Sequence, residues 1–208
     1  MKKLIANVKT EMVSNEKAIE LRSYWIKKLL NNIEAIGIGV DYHKAQNHIK
    51  DIKSISVNID GNLFNKINSL TGGKDFLTYT VLLTSLSICL YKYTSKDSIV
   101  IGSPCLRRED NSELEDNAVV ILNKIDKNMT FKDLLMNTRK NLLEDYERQD
   151  YPISELIKDI GAADEGEIYP LFDIALMLTN IHCNMPDVGN NITIKLTNNT
   201  DSIDGEIV

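Results

Sequence analysis

The sequence predicts an α/β fold, a mixed β-sheet covered by helices. Three observations carry that prediction. Ile55, Val57 and Ile59 alternate with Ser56, Asn58 and Asp60, the period-2 pattern of a strand with one buried face. Residues 76–93 are apolar nearly all round, relieved only by threonines, serines and one lysine, as in a helix buried on most sides. Apolar β-rich runs at 98–104 and 118–122 then lie between helical patterns, so strands and helices are mixed along the chain.

Each element has its own signal. Ala18, Leu21, Trp25, Leu29 and Ile33 recur every three or four residues and predict a first amphipathic helix, with Ser14 or Asn15 placed to cap its first turn. A polar link over residues 41–53 precedes the strand at 55–59. Asp60-Gly61-Asn62 turns into a short helix with Leu63, Phe64, Ile67 and Leu70 inward, and Gly72-Gly73 ends it. The helix at 76–93 follows, with Cys89 expected in its packing. Pro104 stops the strand at 98–104, since proline cannot continue a ladder.

Thr130-Phe131-Lys132-Asp133 reads as a capping box opening a long helix through Leu134, Leu135, Leu142 and Leu143. Gln149-Asp150-Tyr151-Pro152 breaks that helix and opens a short one from 153 to 160. Strands are expected at 170–178, 192–196 and 203–208, and no internal repeat is visible.

Composition narrows the function. The chain has 208 residues and 23.5 kDa, enough for one large domain or two small lobes with a core that needs no disulfide or metal. With 24 Lys+Arg against 30 Asp+Glu, the net charge is -6, which argues against a nucleic-acid partner. Only three apolar residues precede Asn7, too few for a secretory signal, and no apolar run approaches the length of a membrane span. Cys89, Cys105 and Cys183 are odd in number and widely spaced, as expected of reduced thiols. The expectation is a cytoplasmic protein without a membrane or nucleic-acid partner.

The common catalytic and metal patterns fail. Thr71-Gly72-Gly73-Lys74-Asp75 lacks the earlier glycine of a phosphate loop, and Asp75 stands where a hydroxyl would hold magnesium. His43 and His48 are five apart and do not share a helical face, so no metal site is expected. His182 and Cys183 are adjacent, and on an extended chain they would point to opposite faces. The acidic runs at 109–116 and 144–147 read as solvated surfaces. From the residues alone there is no catalytic site.

Four segments, in order, carry a resemblance. They are Ser23-Tyr24-Trp25-Ile26-Lys27-Lys28-Leu29; Ser98-Ile99-Val100-Ile101-Gly102-Ser103-Pro104 with Arg107 and Arg108; Gln149-Asp150-Tyr151-Pro152; and Tyr169-Pro170-Leu171-Phe172-Asp173 closing at Thr179-Asn180. Together they resemble the second half of a nonribosomal peptide synthetase condensation domain, of the chloramphenicol acetyltransferase-like superfamily. Arg148 stands where that family has a histidine and Ser154 where it has a glutamate. Asn117 falls on the family's Phe-Val-Asn-Thr segment, although the preceding Ile-Gly-x-Phe is absent.

The resemblance implies that residues 1–208 are the C-terminal lobe of such a domain, with 1–40 a leading helix and linker and 41–208 the α/β lobe. The family's His-His-x-x-x-Asp-Gly motif occurs nowhere here, which implies that it belongs to an N-terminal lobe absent from this chain. The family also continues its last strand and adds a helix where this sequence closes at Gly205-Glu206-Ile207-Val208. The implied role is part of a peptide-bond-forming transferase of antibiotic and secondary-metabolite biosynthesis. It would line a tunnel for thioesters carried on the phosphopantetheine of carrier proteins, with no cofactor bound directly. Implied partners are the N-terminal lobe and peptidyl carrier domains, with self-association through an exposed lobe interface.

Ser103, Asn117 and Asn180 are the expected tunnel residues. Trp25, Gly102, Pro104, Gln149, Asp150, Pro152 and Pro170 are expected to shape the lobe, and no catalytic residue or metal ligand is expected. Two alternatives stay open: a noncatalytic carrier-protein interaction module, and an autonomous acyltransferase assembled across an oligomer, for which only His182 could serve as base.

Overall fold

A computed structural model of the protein describes residues 2–30, 32, 53–108, 117–161, 163–164, 167–168 and 171–208. Pro170, His43, His48, most of the link at 41–53 and the acidic run at 109–116 lie outside the described residues. The elements are α1 (Lys2–Leu29), β1 (Ile55–Ile59), α2 (Gly61–Thr71), α3 (Asp75–Thr94), β2 (Ser98–Pro104), β3 (Ala118–Lys124), α4 (Phe131–Tyr146), α5 (Ile153–Asp159), β4 (Ala163–Asp164), β5 (Glu167–Ile168), β6 (Ile174–Leu178), β7 (Ile192–Asn198) and β8 (Ile203–Ile207).

Six strands form one sheet in the order β1-β8-β7-β6-β2-β3, and β4 and β5 make a separate hairpin. β6 runs parallel to both its neighbours, Ala175 opposite Gly102 and Leu176 opposite Ile194. The outer pairings are antiparallel, with Val57 opposite Gly205, Leu196 opposite Gly205 and Ile101 opposite Ile121. The sheet is therefore mixed, as the alternation of strands and helices predicts.

The central strands are buried on both faces. All five residues of β6 and six of seven in β3 are inaccessible, so these strands read as continuous apolar runs. Tyr79 and Leu83 of α3 and Leu142 of α4 meet Ile101, Ile121, Leu176 and Leu178 in the same core. β7, β8 and β1 are half-buried and keep their polar alternates, such as Lys195, Glu206 and Asn58, on the other face.

Two glycines are required by close approach. A Cβ on Gly102 would lie 2.2 Å from the Phe172 ring, and one on Gly205 would lie 1.9 Å from the Lys195 carbonyl oxygen. Gly72 and Gly73 end α2 at φ 60 and 69, the left-handed cap that the Gly-Gly pair predicts. The Thr130–Asp133 capping box forms as read from the sequence.

Several expectations are corrected. α1 begins at Lys2 and runs through Ser14 and Asn15, so neither caps it. In α2 the buried residues are Phe64 and Thr71, while Leu63 and Leu70 are 58% and 59% exposed, because the helix is rotated relative to the leucine stripe. Cys89 lies on the exposed side of α3, and Leu143 on the exposed side of α4. β6 starts at Ile174, not at 170, because Leu171 and Phe172 leave the ladder and Phe172 turns its ring onto Gly102.

Candidate functional site

The ends of β2 and β6 hold a buried polar chain at the α3–α4 side of the sheet. Leu178 N–H donates to His182 Nδ1 at 2.9 Å, and His182 Nε2 lies 2.7 Å from the Tyr146 hydroxyl. Tyr146 is 2.7 Å from Ser103 Oγ, which also accepts from the Tyr79 hydroxyl at 2.6 Å. The Tyr79 hydroxyl is also 3.0 Å from the Leu176 carbonyl. His182 Nδ1 also lies 3.0 Å from the Leu178 carbonyl, to which the His182 backbone N–H donates at 3.1 Å, so both ring nitrogens have interior partners.

Ser103 and His182 have no exposed surface. Burial holds the imidazole neutral down to about 3. Both ring nitrogens are engaged by interior partners, and the ring has no exposed surface on which a substrate could meet it. Ser103, expected to line a tunnel, lies in the interior, where its Oγ accepts from Tyr79 and shares a hydrogen bond with Tyr146. Burial also lifts both phenols well above their ordinary range, which keeps them as neutral donors.

Asn117, at the mouth of β3, is also committed. Its amide donates to the Gln149 and Tyr151 carbonyls at 2.7 and 3.0 Å, and its carbonyl accepts from Ile153 N–H at 2.8 Å. Asn117 is 7% exposed, so its place is as a clamp on the α4–α5 turn and not as a wall of a cavity. The buried Gln149 side chain accepts from Leu106 N–H at 2.8 Å and fastens the same turn to the strand after β2. Pro152 starts α5 at φ -64. Asp150 accepts from Arg108 at 2.9 Å and Lys17 at 3.0 Å.

Asn180 alone of the three expected tunnel residues reaches the surface. It closes the turn after β6 by donating to the Asn198 carbonyl at 2.9 Å and accepting from Asn198 N–H at 2.8 Å.

A seam of polar contacts joins α1 to this junction. Trp25, 2% exposed, donates Nε1–H to the Arg148 carbonyl at 3.2 Å. Asp145 accepts from Lys28 and, at 2.8 Å, from Tyr24, and the Arg148 guanidinium stacks 4.3 Å from the Tyr24 ring centroid. Burial is the largest influence on both members of the Lys28–Asp145 pair, lowering the ammonium and raising the carboxyl. Arg22 grips Asp159 through two bonds at 2.9 and 2.7 Å. Glu16, Ile19, Glu20, Ser23, Tyr24 and Arg148 line an open groove along this seam.

Sequence reasoning names Tyr24, Trp25, Gln149 and Asp150 but misses Tyr79, and it reads 144–147 as a solvated surface although Asp145 and Tyr146 are buried. Their one signal is a phenol or carboxylate on the buried stripe of a helix, where a polar tip needs a partner. Among the described residues no set of three histidine, cysteine or acidic side chains could hold a metal. The arrangement can hold a strand end, a turn and a helix in one geometry, and its one described imidazole, His182, does not reach solvent.

The fold and these motifs belong to one family. The condensation-domain family model matches residues 6–203, and the chain belongs to that family. It is 26% identical over 184 residues to surfactin synthase subunit 1 of Bacillus subtilis (strain 168), covering 85% of this chain and 5% of that protein. To bacitracin synthase 1 of Bacillus licheniformis it is 28% identical over 162 residues, covering 76% and 3%. Among solved structures, a four-domain nonribosomal peptide synthetase, holo-AB3403, superposes with a TM-score of 0.72 at 14% identity, covering 90% of this chain and 17% of that one. The starter condensation domain of rhizomide synthetase superposes at 0.66 and 13% identity, over 92% of this chain and 46% of that one. The chain thus spans about half of a solved condensation domain and a few per cent of the synthetases it matches.

Proposed function

We propose that this chain is the C-terminal lobe of a condensation domain. It forms one wall of the tunnel in which carrier-tethered acyl and aminoacyl thioesters meet, and it makes no peptide bond unless a lobe carrying the His-His-x-x-x-Asp-Gly motif is supplied. The observation that carries the reading is a family match over residues 6–203 in which the one described histidine, His182, is fully buried. The coverage of 46% of the rhizomide domain agrees with one lobe of two.

Amide formation needs the amine held on the thioester carbonyl. Orientation supplies much of the rate and a proton acceptor the rest. The polar seam and the strand-end clamp make this lobe a rigid wall that can orient; the partner lobe supplies the acceptor. Of the residues expected in the tunnel, Asn180 keeps that role because it is exposed at the end of a parallel strand. Substrates arrive on phosphopantetheine, and the protein works in the cytoplasm with carrier domains as partners; none of its described helices is long and apolar enough to cross a membrane.

The test is reconstitution. The chain is mixed with a separately expressed N-terminal condensation lobe and with loaded donor and acceptor carriers. Amide formation only in the mixture is expected. Turnover by this chain alone would overturn the reading, and carrier binding without turnover in the mixture would favour a noncatalytic module.

A further inference from the structure

Cys105 and Cys183 face each other across a short antiparallel contact. Leu106 pairs with His182, so the next position places Cys105 directly opposite Cys183. The flanking hydrogen bonds confirm the register: Cys183 N–H donates to the Cys105 carbonyl and Arg107 N–H to the Ile181 carbonyl, each at 2.9 Å. Directly opposed residues share a face, with Cα atoms about 5.5 Å apart when hydrogen-bonded, inside the disulfide range. Cβ atoms of directly opposed residues are typically about 4.5–5.5 Å apart, so closure asks the strands to approach by about 1 Å and the Cys105 thiol to leave the Gln149 carbonyl, 3.7 Å away.

We propose that Cys105 and Cys183 are a dithiol that closes into a cross-strand disulfide when the protein meets a peroxide. The first thiol reduces hydrogen peroxide, forming a sulfenic acid and releasing water. The second sulfur then attacks that sulfur; the S–S bond forms and a second water leaves, the two electrons having gone to the peroxide. Cys183, 7% exposed, is the thiol that takes the first step, and Cys105, with no exposed surface, resolves it. The sulfurs are close enough to influence each other. Burial chiefly, and Cys183 next, push the Cys105 thiol up to about 12, which makes the closure slow at neutral pH.

The bond would fasten the end of β2 to the turn that carries Asn180 and His182. Oxidation would thereby lock the strand ends that the reduced protein holds only by hydrogen bonds.

The test uses the full chain carrying Cys89→Ser, which removes the exposed thiol. The folded protein is treated with graded hydrogen peroxide, then denatured in excess alkylating agent and weighed. The expected result is joint loss of both alkyl adducts with a mass about 2 Da below the reduced chain, reversed by dithiothreitol. A single linked Cys105–Cys183 peptide and a melting temperature several degrees higher complete it. Sulfinic or sulfonic acid on one cysteine with the other still alkylated would overturn the proposal. So would two alkylatable thiols at a dose that fully oxidises Cys89 in the wild-type chain.

Discussion

The Trp25 indole and the Arg148 carbonyl meet at 3.2 Å, so the first helix reads the backbone where α4 gives way to the α4–α5 turn. The carbonyl is held in the wall of a nearly inaccessible tryptophan site. The hydrogen bond fixes both the depth and the rotation of α1.

Trp25→Phe keeps most of the apolar contact and removes the donor. It should destabilise the chain by about 1–3 kcal/mol, the cost of an unsatisfied buried carbonyl. Trp25→Ala should cost about 3–5 kcal/mol. Urea unfolding of the two variants checks the order; a Trp25→Phe variant as stable as wild type would mean that the bond contributes nothing.

Asn117→Ala removes three hydrogen bonds and orphans groups around the α4–α5 turn. A loss of about 3 kcal/mol is expected. Asn117→Asp cannot donate to the Gln149 and Tyr151 carbonyls and should be no better. A variant as stable as wild type would remove Asn117 from the clamp and return it to the candidate tunnel residues.

Gly102 and Phe172 should be coupled. The added methyl of Gly102→Ala would meet the ring at 2.2 Å, so overpacking of about 3 kcal/mol is expected. Adding Phe172→Leu should recover part of that loss, a coupling of at least about 1 kcal/mol in a double-mutant cycle. Additive losses would show that the strand shifts and not the ring. At Gly205 no such rescue is expected, because the obstructing atom is the Lys195 backbone oxygen.

His182 gives the protein an acid sensitivity with a defined sign. The unfolded imidazole binds a proton near 6.5, the folded one only near 3. Between those values the unfolded state holds more protons, so stability falls as pH drops, by up to about 1.4 kcal/mol per pH unit. Asp145 works in the opposite sense above its ordinary value, since its native carboxyl is raised. The comparison is therefore wild type against His182→Gln, by urea unfolding from about pH 7.5 to about pH 5. A steeper loss in the wild type is expected; parallel curves would contradict the buried neutral imidazole.

Local chemistry was the legible part of this protein. The Thr130–Asp133 box and the Gly72-Gly73 stop depend on neighbours in sequence, and each stands where the residues put it; in β1 Val57 and Ile59 turn inward as their alternation predicts, while Ile55 is 65% exposed. What depends on distant partners was not legible. Leu63 and Leu70 look like a buried stripe, but packing against α3 turns Phe64 and Thr71 inward instead. Ser103 looks like a polar residue at a strand end; only the arrival of Tyr79, Tyr146 and His182 from three other elements makes it interior. The placing of β6 between β2 and β7 likewise follows from long-range packing, which no window of sequence contains.

The pairing of β1 with β8 has a consequence for synthesis. A chain emerging from the ribosome makes β1 before α2 through β7, and its complement β8 only after all of them. Until then, the edge of β1 and the slot beside β7 stay open to any extended segment nearby. Completion of this sheet waits for β8, and a chain cut short of that strand would be left with sticky borders.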